Sequence, residues 1–291
     1  MKLTIFTPTY NRAYILENLY RSLQRQTCHE FEWLVIDDGS ADDTRSLVEA
    51  WSREGNPFPI RYYYFENSGK PAEINRALDL AAGELFFTVD SDDLLTENAV
   101  ELILQWADAM PQDDRFCALA GSHGDMQGTP TNPIFGKPWL DATFFDRDSQ
   151  SENFIGYDRP WVFYTDVHRK YKYPSFPGER FITEAVAWNR MANDGYQVRC
   201  FDDVIYLWEH QEDGYTNSIK QVFLRNPRGY ALWQKEWMEF QNYTALQKLK
   251  GYYAFYSDFH TILDCRQLSE YIGAPRWLMG LVQTIYQLKH R

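Results

Sequence analysis

Three carboxylates fall within four positions of FFTVDSDDLL, residues 86–95, directly behind a run of apolar and β-branched residues. Asp90, Asp92 and Asp93 brought that close repel one another, and each is driven toward protonation unless a cation or ligand compensates. Hard carboxylate oxygens suit Mg2+ or Mn2+, which bind through one or two carboxylates together with substrate phosphates. The competing reading is a solvated turn, where Asp is favoured by hydrogen bonds to nearby backbone. Three other stretches carry related chemistry. Thr7-Pro8-Thr9-Tyr10-Asn11-Arg12 offers the Tyr10 ring to a planar base. Asp37-Asp38-Gly39-Ser40 offers carboxylates that accept from a base N–H or a ribose hydroxyl. Glu66-Asn67-Ser68-Gly69-Lys70 is a turn ahead of a helix amino terminus, and its Lys70 either neutralises a phosphate or is a solvated turn residue. Together the four stretches make a nucleoside-diphosphate site with a bridging metal.

The elements that must position these residues alternate short apolar runs with helical patterns, the signature of βαβ units around a parallel sheet. Strands are expected over Leu3–Phe6, Phe31–Ile36, Ile60–Phe65 and Leu85–Val89. The helices between them carry Ile15 to Leu23, then Leu47 to Trp51, then Ala72 to Ala82 closed by Gly83. All four chemical stretches then sit at carboxyl ends of strands, where open α/β sheets bind ligands. After a helix over Thr96–Met110, residues 121–160 read as long Gly-, Pro-, Asn- and Asp-rich loops, where acceptor sites tend to lie. A helix over Thr183–Asn193 is closed by Gly195, and two strands follow near Val198–Phe201 and Val204–Trp208. From Asn226 the pattern is helical and aromatic. The expected division is a catalytic domain over 1–225, with halves 1–110 and 111–225, and a helical extension over 226–291.

The chain has 291 residues, 44% of them hydrophobic and 24% charged, an ordinary globular composition. A formal charge of −12 argues against nucleic acid as a partner, since such binding leaves a basic footprint. An anionic ligand here needs a local cation. Cys28, Cys117, Cys200 and Cys265 are widely spaced and form no CxxC pair, so they read as thiols of a reducing compartment, not as a disulfide framework or zinc site. No stretch reaches the roughly 18 apolar residues of a membrane span, and the first residues lack a signal-peptide pattern. A cytoplasmic location follows as the expectation. The segment PRWLMGLVQTIYQLKHR places Trp277, Leu278, Leu281, Val282, Ile285 and Leu288 on one face. That helix either packs on the body or touches a membrane peripherally, helped by Lys289, His290 and Arg291.

PTYNR, VIDDGSADDT and VDSDD, in that order and spacing, closely resemble family 2 glycosyltransferases. The resemblance covers residues 1 to about 110 well and 111–215 more weakly. It implies a GT-A fold, in which a Rossmann-like nucleotide-binding half with a mixed central sheet merges with an acceptor half. It also implies inverting transfer from a nucleotide-sugar, with UDP the leading donor class, to a saccharide or lipid-linked acceptor, using Mn2+ or Mg2+. Carried over by position, Pro8, Tyr10 and Asp38 would hold the base. Asp90 and Asp92 match the DXD motif, with Asp92 the direct metal ligand. The family's catalytic base opens a helix in the second half, often within a Glu-Asp pair; in FPGERFITEAVAWNR that place falls to Glu184, unpaired after Thr183, with Glu179 as its rival. His210 stands where a third metal ligand or diphosphate contact comes in related enzymes, with Glu209 and Asp213 as alternatives. A nucleotidyltransferase would also use a Rossmann-like half and paired aspartates, but TPTYNRAY has no glycine for a phosphate loop. A non-catalytic sugar- or nucleotide-binding protein is the remaining class.

Overall fold

The computed structural model describes residues 1–111, 113–209 and 215–290. In chain order the elements are β1 (Leu3–Thr9), α1 (Leu16–Gln24), β2 (Phe31–Asp37), α2 (Thr44–Trp51), β3 (Ile60–Tyr64), α3 (Lys70–Leu80), β4 (Leu85–Thr88), β5 (Leu94–Leu95) and α4 (Ala99–Asp108). They continue with β6 (Phe116–Gly124), β7 (Leu140–Ala142), a 3-10 turn (Phe144–Arg147), β8 (Trp161–Tyr164), α5 (Thr165–His168), α6 (Ala185–Asn193) and β9 (Gln197–Leu207). Five helices close the chain: α7 (Tyr215–Arg225), α8 (Pro227–Phe240), α9 (Ala245–Phe259), α10 (Cys265–Ile272) and α11 (Arg276–Lys289).

Two compact units form. The first takes in Met1–Lys172 and the segment from Arg190 through β9; the second takes in Tyr173–Asn189 and the helices from α7 onward. The first is built on one mixed sheet of order β3-β2-β1-β4-β8-β6-β9-β5, with β7 added beside β9. The run β3-β2-β1-β4 is parallel, as the βαβ pattern requires, and β8 enters antiparallel beside β4. Alternation splits the side chains. Ile5, Trp33, Val35 and Phe87 bury against α1, α2 and α4, while Phe6, Leu34 and Phe86 face the side that α3 covers.

Several expectations change. The presumed loops of 121–160 hold the end of β6, β7 and the 3-10 turn, and the two strands expected near 198–208 are one, β9. Buried Arg159 organises that region. Its Nε donates to the Ile155 carbonyl at 2.6 Å, Nη1 to Gly121 and Phe201 at 2.9 and 3.0 Å, and Nη2 to Pro133 at 2.8 Å. Those carbonyls and the Phe135 ring, 4.6 Å from the guanidinium carbon, take the place of a counter-ion. Gly83 does not close α3 with a left-handed residue. A Cβ there would lie 2.4 Å from the Thr4 nitrogen and 2.6 Å from the Leu3 carbonyl carbon, so only glycine lets the chain pass β1 before entering β4.

Among the described residues, the regular structure of the second unit is helical, and aromatics close its core. Tyr230, Phe255 and Phe259 pack with Met238, Leu268, Met279 and Val282. α9 and α10 each begin with a reciprocal capping box, Thr244 with Gln247 and Asp264 with Gln267. The side chains of α11 do not share one face as the sequence pattern implies: Val282 is buried, whereas Trp277, Leu281, Ile285 and Leu288 are exposed. Among the described residues, no helix is long and apolar enough to cross a membrane, and all four cysteines are free thiols.

Candidate active site

Four loops at the carboxyl ends of β1, β2, β3 and β4 meet, as parallel strands of this order require. After β1, Asn11 adopts φ +53°, a conformation Asn tolerates better than most residues. There its N–H donates to Ser40 Oγ and its Oδ1 accepts from Ala41 N–H, both at 2.8 Å, which locks the first loop to the second. Pro8 pairs with Ile36 inside the sheet, and Tyr10 is half exposed at its edge.

The second loop spends its carboxylates on structure. Asp37 is buried and accepts from Ser40 N–H at 2.7 Å and from the Tyr62 hydroxyl at 2.7 Å. Asp38, also buried, accepts from the N–H groups of Ser68 and Gly69 at 2.7 and 2.8 Å, fixing the turn that opens α3. Its carboxylate therefore shapes the wall of the site. Gly39, at φ +90°, lets this turn pass Asn67. One helical turn into α3, Glu73 is buried and ion-paired with Arg76. Burial and the neighbouring Asp38 charge push its carboxyl up to about 8 against the pull of Arg76. Arg76 stacks on Phe65, 4.3 Å from the ring centre.

The acidic turn follows β4. Lys70, at the start of α3, is not a solvated turn residue: its Nζ lies 2.8 Å from one Asp90 oxygen and 3.1 Å from the other. Asp92 Oδ2 lies 3.8 Å from Arg12 Nη2. Burial, and then the Asp90 charge, raise the Asp92 carboxyl, which Arg12 partly offsets. Asp93 is pushed up to about 8 by burial and then by Asp90. The turn is held by Tyr206 of β9, a residue the sequence reading did not single out. Its hydroxyl donates to Asp93 Oδ2 at 2.6 Å and accepts from Asp90 N–H at 3.1 Å. His123 of β6 packs edge-on to the Tyr206 ring, 5.0 Å between centres. Burial and then Arg159 lower its imidazole to about 4, so it stays neutral there. Neither residue has a local sequence signal, because each acts through strand pairing.

Among the described residues the donor set is all oxygen, carboxylates within reach of two long cations, which fits a divalent ion shared with phosphates. No group of three or more His, Cys, Asp and Glu side chains forms an all-protein metal cage among the described residues. His210 and Asp213 lie outside those residues.

Glu184 and Glu179 belong to the second unit and are described there. Glu179 accepts from the Arg228 and Gly229 N–H groups at 2.9 Å each, capping α8 with a charge favourable to its dipole. Glu184 is half-buried at the start of α6, and its carbonyl accepts from Ala187 N–H at 3.1 Å.

The sheet and its helices constitute a GT-A fold. TarS from S. aureus, residues 1–349 crystallised with UDP-GlcNAc, superposes with a TM-score of 0.63 at 17% identity over 99% of this chain and 92% of that one. A mannosyltransferase from Pyrobaculum calidifontis, crystallised with GDP-Man and Mn2+, superposes at 0.58 and 18% identity, over 100% and 81%. Among curated sequences, a β-1,3-glucosyltransferase of Campylobacter jejuni acting on GalNAc(5)-diNAcBac-PP-undecaprenol is 35% identical over 108 residues, 36% of this chain and 34% of that protein. Glycosyltransferase GlyG of Streptococcus pneumoniae is 31% identical over 104 residues, 35% of this chain and 34% of that one. The aligned part thus spans about a third of these relatives' length. The sequence profile of glycosyl transferase family 2 matches residues 4–167, more than half the chain. The chain belongs to glycosyl transferase family 2.

Tyr206→Phe deletes both hydrogen bonds of the clamp while leaving the ring. It should weaken Mn2+ binding in the presence of UDP by about tenfold or more, the usual effect of losing a partner behind a metal ligand, with the fold retained by circular dichroism. Unchanged affinity by calorimetry would remove Tyr206 from the site. Glu73 gives a pH signature. Its folded value of about 8 exceeds the unfolded value of about 4.3, so between these limits the folded state binds more protons. Its contribution therefore lowers stability as pH rises from about 4 to about 8. Glu73→Gln should gain Tm relative to the parent progressively through that window and level off above it. A difference independent of pH would show that Glu73 is ionised throughout.

Proposed function

We propose that the protein is an inverting, metal-dependent glycosyltransferase that moves a sugar from a nucleotide-sugar, UDP-sugar first among donors, to a hydroxyl of a saccharide or lipid-linked acceptor. The observation that carries the reading is the acidic turn Asp90–Asp93, braced by Tyr206 and faced by Lys70 and Arg12 at the carboxyl end of β4. Pro8, Tyr10 and Asp38 hold the base, and Asp38 also fixes the turn that opens α3. Lys70 and Arg12 supply positive charge for a diphosphate in a chain of net −12. Asp92, with Asp90 beside it in the DXD pattern, holds Mn2+ or Mg2+, and His210 is the further ligand. The bound ion supplies charge neutralisation for the departing nucleoside diphosphate.

Transfer needs a base for the acceptor hydroxyl, and Glu184 takes that role. As the hydroxyl oxygen forms its bond to the anomeric carbon, the bond to the diphosphate oxygen breaks on the opposite face and the proton passes to the Glu184 carboxylate. The rival Glu179 has both oxygens on backbone N–H groups of α8, which supports this choice. The Campylobacter jejuni relative is named for an undecaprenol-linked acceptor. An acceptor of that kind supports the reading of a cytoplasmic protein working at the inner face of the membrane.

The test begins with a thermal-shift panel of nucleoside diphosphates with and without Mn2+. UDP with Mn2+ should raise Tm most, and Asp92→Ala should abolish the Mn2+-dependent part without unfolding the chain. Retention of that part in Asp92→Ala would end the metal assignment. Glu184→Gln keeps size but cannot take a proton. It should leave UDP binding nearly unchanged and lower kcat by roughly 10²–10⁴-fold, whereas Glu179→Gln should cost stability and little turnover. Reversed effects would make Glu179 the base, and donor binding without turnover would indicate a binding protein.

A further inference from the structure

Helix α11 carries two apolar faces. One is satisfied: Met279 and Val282 are buried in the core of the second unit, and Tyr286 sits among Tyr253, Tyr256 and His260. The other is bare. Trp277 is 74% exposed, Leu281 46%, Ile285 38% and Leu288 66%. At 3.6 residues per turn these four share one stripe, about 80° wide and about 16 Å long. A contiguous row of large apolar side chains on a surface marks a contact site.

Charge identifies the partner. The sequence of α11, RWLMGLVQTIYQLK, contains no Asp or Glu, although the whole chain has 41 acidic residues against 29 basic ones. Arg276 opens the helix, Lys289 ends it and His290 follows, all exposed. The Lys289 ammonium lies 5.5 Å from the centre of the Tyr253 ring, and the residue remains exposed. Tryptophan and aliphatic side chains on one stripe, with cations at both ends and no acid between, match a helix lying in the interface of an anionic bilayer.

We propose that α11 docks the protein on an anionic membrane surface. The stripe Trp277–Leu281–Ile285–Leu288 enters the boundary between headgroups and acyl chains, and Arg276 and Lys289 meet lipid phosphates. This deepens the reading of a lipid-linked acceptor and takes its purpose from that reading, but the docking itself needs neither donor nor acceptor.

The experiment is co-sedimentation of the full chain with vesicles of phosphatidylglycerol and phosphatidylcholine, compared with phosphatidylcholine alone. The chain should sediment with the anionic vesicles, and less so as salt is raised. The combination Trp277→Ser, Leu281→Ser and Leu288→Ser should cut the partition coefficient by about tenfold or more. It should leave Tm unchanged, since these side chains face solvent. Arg276→Glu with Lys289→Glu, which leaves the stripe intact, should weaken binding to the anionic vesicles alone. Absence of sedimentation, equal sedimentation of parent and both variants, or a solution dimer that the triple substitution dissociates would overturn the proposal. UDP-dependent turnover on a soluble acceptor, measured on the same variants, tests the transfer reading separately.

Discussion

Mutual repulsion among three carboxylates at the end of β4 is the constraint around which the first unit is arranged. Two of them are partly withdrawn from water, and that withdrawal raises Asp92 and Asp93 above the ordinary carboxylate range. Such a turn would relax outward if nothing held it. Tyr206 holds it from both sides, accepting the Asp90 N–H and donating to Asp93. That clamp exists only because β9 pairs with β5, bringing Tyr206 opposite Leu95. The long β6–β9 pairing, with its register shifts, then sets where β9 ends. Holding three acids together therefore rests on the strands farthest from β1 in the sheet.

The acidic residues sort by what their oxygens meet. Asp37, Asp38 and Glu179 each use both oxygens on N–H or O–H donors of the protein itself. Such carboxylates are satisfied where they stand and act as braces. Asp90 and Asp92 meet long cationic side chains instead, Lys70 and Arg12. An ion pair with a flexible partner rearranges at small cost, whereas a carboxylate holding two backbone amides cannot leave without orphaning both. The same residue type thus serves as scaffold in one loop and remains available for an ion or phosphate in the next.

That distinction was not legible in the sequence, which shows residue types and spacing but not their partners. The strands, the parallel order and the carboxyl-end loops were legible, because period-2 burial and short helical segments write themselves locally. The sequence offers Asp38 as a contact to a base, and nothing near it announces that Ser68 and Gly69, some thirty positions on, also donate to it. Arg159 escaped notice for a related reason: its partners are carbonyls of Gly121, Pro133, Ile155 and Phe201, and a carbonyl has no residue signature. Without that buried guanidinium the Gly- and Pro-rich stretch reads as loop. Around Arg159, the end of β6 and the segments at 133 and 155 are held together.

Helix α11 shows the converse limit. Its pattern announced an apolar helix, but a stretch apolar over half its circumference cannot tell which part meets the core. Packing decides: Tyr286 and Val282 find the rings and aliphatics of α9 and its neighbours, which turns Trp277, Leu281 and Leu288 away. A helix needing only to cover that core would be expected to present polar residues on the outward face. The retention of four large apolar side chains there, beside cations and without a single acid, is a departure that packing within the chain does not explain. An amphipathic surface of this kind is satisfied when its outward stripe meets a phase that is itself apolar beneath and anionic above.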